Sequence, residues 1–89
     1  MKSISIKVRG KVQGVWFRAS TGEMALKLGV NGIVRNERDG SVYIEAEGDV
    51  QAIAKLITWC NQGPEFAEVQ SIEVEEIQAR GFEKFEIAE

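Results

Sequence analysis

The chain has 89 residues, a net charge of −3, one cysteine and no histidine. A chain of this length folds as one domain around a single core without disulfide or metal staples, and the lone Cys60 permits no intramolecular disulfide. The missing imidazoles remove the usual zinc ligands and every Ser-His or Cys-His nucleophile system. Chemistry here must work through Arg, Lys, carboxylates, amides, the backbone or the substrate itself.

Charge is unevenly spread. Residues 1–38 hold Lys2, Lys7, Arg9, Lys11, Arg18, Lys27, Arg35 and Arg38 against Glu23 and Glu37; that half is +6, leaving −9 for the rest. The asymmetry suits capture of a small anion by the first half, while most of the later acids read as solvated strand faces. No apolar run is long enough to span a membrane, and the N-terminus alternates instead of forming a signal-peptide core. A cytoplasmic protein with no membrane partner is expected, and at this size a monomer.

From Ser3 to Arg9, Ile4, Ile6 and Val8 alternate with polar residues, as in a half-buried strand. A glycine-punctuated loop follows. Ser20 and Glu23 have capping-box spacing, so the residues by themselves predict a helix start near Ser20. Its apolar stripe is Thr21, Met24, Ala25 and Leu28, with Gly29 as the stop. Val30, Gly32 and Val34 lead a second strand into Asn36. Asp39-Gly40 signals a hairpin, and Val42, Ile44 and Ala46 alternate in a third strand. Asp49 caps a second helix whose expected inner face is Val50, Ile53, Ile57 and Cys60, and Asn61-Gln62-Gly63-Pro64 ends it. Glu68 to Ile77 reads as a fourth strand, its phase shifting between Val69 and Ile72 and again before Ile77, as at a bulge. Phe82, Phe85 and Ile87 suggest a short final strand.

The order β-α-β-β-α-β with an added strand predicts an α+β, ferredoxin-like sandwich: an antiparallel sheet with both helices on one face. No linker or repeat is visible, so residues 1–89 read as a single domain. The fold alone assigns no function.

Chemistry concentrates in the run Val8-Arg9-Gly10-Lys11-Val12-Gln13-Gly14-Val15-Trp16-Phe17-Arg18. A tight glycine loop can aim several backbone N–H groups at one oxyanion, and a helix N-terminus adds its positive dipole end. Arginine contributes a planar fork suited to phosphate oxygens. Val15 and Phe17 read as core anchors that hold the loop still, and Gln13 as hydrogen-bonded within it. Trp16 has two readings, a contact for the substrate or a cover for the loop. Arg18 is favoured as a phosphate clamp over a surface ion-pair partner, because a cation at a helix start opposes the dipole. Asn36 before the hairpin has an ordinary reading as a strand terminator and Asx-turn former.

The Val8–Arg18 run resembles the signature loop of the acylphosphatase family, small hydrolases of carboxyl-phosphate bonds. The run Gly32-Ile33-Val34-Arg35-Asn36-Glu37-Arg38-Asp39-Gly40 resembles that family's second motif, with Ile33 in place of its usual aromatic residue. Leu28-Gly29, Gly48, Gly63-Pro64 and Phe85-Glu86-Ile87 extend the likeness over essentially the whole chain. The resemblance puts the first helix start nearer Arg18. It implies Arg18 and Asn36 as catalytic residues, with Asn36 orienting the attacking water, and Gln13, Gly14, Val15, Trp16, Phe17 and Arg18 as the phosphate-binding set. It further implies a small-molecule acyl phosphate as substrate, inorganic phosphate as product and inhibitor, and neither metal nor cofactor.

Two other classes compete with this reading. One is a non-catalytic phosphate- or carbamoyl-phosphate-binding module of the kind that opens larger hydrogenase-maturation proteins; the absence of a linker speaks against it. The other is a ferredoxin-like RNA-binding domain. Its third strand should be aromatic-rich, whereas Ser41–Glu47 has one aromatic and two acids, and net acidity disfavours nucleic acid.

Overall fold

Apolar alternation sets the strands of the computed structural model, which describes residues 1–89. β1 (Lys2–Lys11) turns Ile4, Ile6 and Val8 to one face, all fully buried. β2 (Asn31–Asn36) presents Val34 there, and β3 (Val42–Gly48) presents Val42, Ile44 and Ala46. β3 is antiparallel to both neighbours, from Lys2↔Gly48 to Val8↔Val42 with β1 and from Asn31↔Glu47 to Asn36↔Val42 with β2. Two helices, α1 (Phe17–Leu28) and α2 (Val50–Cys60), close over the apolar face and contact each other. Neither is long and apolar enough to cross a membrane.

α1 begins at Phe17, not near Ser20, and no side chain caps it. The Ser20–Glu23 capping box does not form: the Ser20 N–H instead donates to the Trp16 carbonyl at 3.0 Å as the first turn closes. Thr21 and Ala25 are buried as expected, with Met24 and Leu28 packed against the core. In α2 the Asp49 cap is real, its carboxylate accepting from the Gln51 N–H at 3.1 Å. Its inner face is shifted, however. Ala52, Ile53, Leu56 and Cys60 are buried, while Val50 is exposed and Ile57 only half-buried. At about 100° per residue, Val50 and Ile57 share a flank roughly a quarter-turn from the centre of that face.

β4 (Glu68–Glu76) pairs antiparallel with β1. Arg9 faces Ser71 and Gly10 faces Val69, so Gln70 is the extra residue of a bulge where the sequence changes phase. Ile77 lies past the strand end and donates to the Ser3 carbonyl at 3.0 Å. β5 (Phe85–Ile87) joins the far side of β2 in parallel, so the sheet, in the order β4-β1-β3-β2-β5, is mixed and not wholly antiparallel.

With β4 and β5 on opposite edges, residues 77–84 must cross the end of the sheet. Glu47, on the face away from the helices, fixes that crossing. Its carboxylate accepts from the backbone N–H groups of Arg80, Gly81 (3.3 Å) and Phe82 (3.1 Å). The Arg80 guanidinium reaches Glu45 at 2.8 Å, and the Asn31 amide donates to the Phe82 carbonyl at 3.1 Å. β5 and the residues after it are thereby held beside β2.

The amides, that of Arg80 foremost, keep the Glu47 carboxyl below its ordinary range, against the opposing effect of burial. A lowered folded pKa gives stability that is complete above the unfolded value and is lost as pH falls through the folded one. Glu47→Gln leaves an amide donor unpaired and should lower Tm near pH 7, by about 4–8 °C for each ~1 kcal/mol lost. Below about pH 5 the Tm difference between variant and wild type should shrink. Melting curves from pH 7 to 3 check this; a difference that stays constant with pH would remove Glu47 from the role.

Candidate active site

Five residues, Val12–Trp16, carry the chain from β1 into α1. Three apolar side chains pin this loop: Val12, Val15 and Phe17 are 1%, 7% and 1% exposed. The Phe17 ring lies 5.4 Å from that of Trp59, tilted by 53°. Gly63, at the end of α2, closes on the same ring so tightly that a Cβ there would approach Phe17 to 2.6 Å. Gly14 turns the loop with φ 75°, where other residues are strained. Trp16 adopts φ 69° and is the one non-glycine residue of the chain with positive φ. For a side chain of that bulk the conformation costs about 1–2 kcal/mol.

The loop amides have no backbone acceptors. None of the N–H groups of Gln13, Gly14, Val15 and Trp16 donates to a carbonyl, and α1's first bond starts only at Ser20. The amides of Phe17, Arg18 and Ala19 therefore also lack intrahelical partners. A run of donors ending at a helix N-terminus is a site for an anion.

Arg18 lies inside the first turn of α1 rather than ahead of it. Its Nη1 donates to the Ala88 carbonyl at 2.8 Å, and no carboxylate stands within ion-pair distance, whereas Arg9, Arg35 and Arg80 all have one. The contact orients the guanidinium and leaves its other nitrogens available. Asn36 closes β2 opposite Val42, on the helix-covered face, and its side chain has no hydrogen-bond partner within the protein. The turn-forming role belongs to Asp39, whose carboxylate accepts from the Ser41 N–H (2.9 Å) and hydroxyl (2.5 Å). These bonds, with Lys7 at 3.2 Å, hold the Asp39 carboxyl well below the usual range.

A cleft of about 380 Å³ opens over the loop, lined by Val12, Gly14, Trp16, Phe17, Arg18, Ala19, Asn36, Ile87 and Glu89. Of the predicted site residues it gathers Gly14, Trp16, Phe17, Arg18 and Asn36. Val15 lies in the core, and the Gln13 side chain turns away to the β2–β3 hairpin, donating to the carbonyls of Glu37 (2.8 Å) and Ser41 (2.9 Å). Both contribute to the loop through their backbones. Sequence reasoning missed the wall formed by Ile87 and Glu89. The final strand was legible there, but its parallel docking beside β2 was not. Cys60 is no candidate nucleophile: fully buried, its thiol is pushed up to about 12 by desolvation.

The acylphosphatase family model matches residues 4–87, nearly the whole chain and both motifs. The chain belongs to the acylphosphatase family. Among acylphosphatases, that of Pelotomaculum thermopropionicum is 49% identical over 84 residues, covering 93% of this chain and 91% of its own length. That of Lactiplantibacillus plantarum is 46% identical over 98% of both chains. The crystal structure of acylphosphatase from Bacillus subtilis superposes with a TM-score of 0.96 at 36% identity, over all of both chains. A full-length HypF in its phosphate- and nucleotide-bound form also contains this fold, with a TM-score of 0.89 at 28% identity over 99% of this chain and 12% of that one.

Proposed function

We propose that this acylphosphatase-family chain performs the family's hydrolysis of acyl phosphates without a metal, through Arg18, the loop amides and Asn36. The observation that carries the reading is the joining, in one cleft, of an arginine free of carboxylate partners, an uncommitted asparagine amide and a run of amides without acceptors. The enzyme holds the phosphoryl oxygens with the amides of Gln13–Arg18 and the Arg18 fork. Asn36 orients a water in line with the scissile bond. The water oxygen bonds to phosphorus as the phosphorus–carboxyl oxygen bond breaks, and the bonding pair leaves with the carboxylate. The water's proton passes to a phosphate oxygen.

A histidine-free site suffices for a physical reason. The leaving carboxylate has a conjugate-acid pKa of roughly 4 to 5, so it departs without a general acid. What remains is positioning and charge stabilisation, the main tasks in phosphoryl transfer. Guanidinium and amides supply the positive field, and the cleft holds one acidic residue, Glu89, and no imidazole or thiol for a metal. We read the chain as a cytoplasmic, monomeric, single-domain enzyme spanning residues 1–89, with inorganic phosphate as product and competitive inhibitor.

Phosphate release from acetyl phosphate, measured beside a phosphate monoester and with or without a strong chelator, tests the proposal. Turnover of the acyl phosphate alone, unchanged by chelator, is expected. A large loss restored by metal would refute the scheme, and phosphate binding without turnover would leave a binding module.

Arg18→Lys keeps the charge and removes the fork. It should lower kcat/KM at least about 10²-fold, roughly 2.7 kcal/mol of transition-state stabilisation. A surface ion-pair partner would contribute only about 0–1 kcal/mol, so near-normal kinetics would take Arg18 out of the site.

Asn36→Ala should reduce kcat by about 10²-fold with little change in KM, by analogy with the loss of one positioning donor. Equal damage to substrate binding would mean that Asn36 holds phosphate rather than water.

A further inference from the structure

The phosphate loop and Asn36 stand on different parts of the sheet, and few bonds join them. β1 pairs with β3 only as far as Val8↔Val42. Its last residues, Arg9, Gly10 and Lys11, pair with β4 alone. No backbone hydrogen bond joins residues 9–16 to residues 37–41 of the β2–β3 hairpin. On the face away from the helices, Lys7 and Arg9 reach Asp39 at 3.2 and 3.5 Å, but these ion pairs are partly exposed and contribute little.

Gln13 bridges the gap. Its side-chain amide donates to the Glu37 carbonyl at 2.8 Å and to the Ser41 carbonyl at 2.9 Å. Only the nitrogen end of an amide can face two carbonyl oxygens, which fixes its orientation. The Ser41 carbonyl also accepts the Glu37 N–H at 2.9 Å, so Glu37 is held on both sides, directly after Asn36. Neither carbonyl needs Gln13 for its own satisfaction, because that of Glu37 has the Gly40 N–H at 3.2 Å. The two bonds therefore add position rather than complete the turn. Asn36 has no side-chain partner within the protein, so the backbone that carries it decides where its amide sits.

We infer that Gln13 is a positioning residue for the hydrolysis: by tying the loop to Glu37, it sets the distance between the phosphoryl group in the loop and the water on Asn36. The inference rests on the proposed roles of the loop and Asn36. The Gln13 side chain touches no reacting atom and moves no proton; its effect passes through Asn36. In-line attack tolerates little error in that distance, so a loop and an asparagine that drift apart lose turnover before they lose phosphate.

Kinetics of single and double variants on acetyl phosphate test this. Gln13→Met keeps the side-chain length and the backbone N–H and removes both side-chain donors. It should lower kcat about tenfold with KM within about twofold of wild type. Tm should change little, since both carbonyls keep a backbone donor. In an Asn36→Ala background the same substitution should cost less than about twofold more, because the group it positions is gone. A wild-type kcat in Gln13→Met, a loss carried by KM, or a loss that multiplies in full with that of Asn36→Ala would overturn the inference and leave the hydrolase reading intact. Normal turnover by Asn36→Ala would overturn the water-holding role and the inference with it.

Gln13→Glu gives a readout that packing alone does not move. Ionised, its carboxylate faces two carbonyl oxygens and donates to neither; protonated, its O–H donates to one. The carbonyls disfavour the charged form and raise this side chain above the usual glutamate value of about 4.3. The hairpin's own carboxylates are engaged elsewhere, Glu37 with Arg35 at 2.9 Å and Asp39 with Lys7 and Arg9. The ratio of the Gln13→Glu kcat to that of wild type should climb severalfold as pH falls from about 7.5 to about 5, while the Gln13→Met ratio stays flat. A flat ratio for both variants would overturn the positioning role.

Discussion

The proposed phosphate site depends on holding still a loop whose amides have no acceptors of their own. Burial does the holding. Val12, Val15 and Phe17 are each nearly inaccessible, and full burial of such a side chain is worth about 1.5–3 kcal/mol. The left-handed turn at Trp16 costs about 1–2 kcal/mol, so the anchors outweigh it severalfold. The balance lets the chain keep a backbone conformation that its local sequence disfavours. Donors fixed in advance stabilise charge without having to reorganise when the anion arrives.

Three further elements brace the loop from different directions. The Gln13 side chain ties it to the β2–β3 hairpin at the Glu37 and Ser41 carbonyls, and Asp39 in turn shapes that hairpin. Trp59 and Gly63, from the end of α2, close on Phe17. From the far side comes β5, whose following residue gives its carbonyl to Arg18 and its N–H to the Val34 carbonyl at 2.8 Å. That segment reaches the site only because residues 77–84 cross the end of the sheet under the grip of Glu47. The carboxylate on the open face and the guanidinium on the helix-covered side are thus linked through one stretch of chain.

Strand phase, both helices, the hairpin and the β4 bulge were all legible, because each leaves a local pattern in one to ten neighbouring residues. The glycine turn that carries β1 into α1 was legible for the same reason. Three features were not. Ser20–Glu23 imitated a capping box, yet burial of Phe17 drew the helix start forward to a residue without a capping side chain. The inner face of α2 was misjudged at Val50, since several apolar residues in a short helix fit more than one stripe. The cleft wall at Ile87 and Glu89 depends on pairing between strands far apart in sequence, which periodicity cannot encode. Asn36 was ambiguous by residue type, and the geometry assigns its turn-forming role to Asp39.

The proposed phosphate site, formed by the amides of residues 13–18 and the Arg18 guanidinium, is open to direct observation. Titrating the ¹⁵N-labelled protein with inorganic phosphate, while following backbone amide and arginine Nε resonances, reports on each donor separately. Saturable shifts concentrated at residues 13–18 and at the Arg18 Nε are expected, with the Trp59 and Glu47 regions nearly silent. Shifts that gather instead around the other arginines, leaving the loop unmoved, would contradict it.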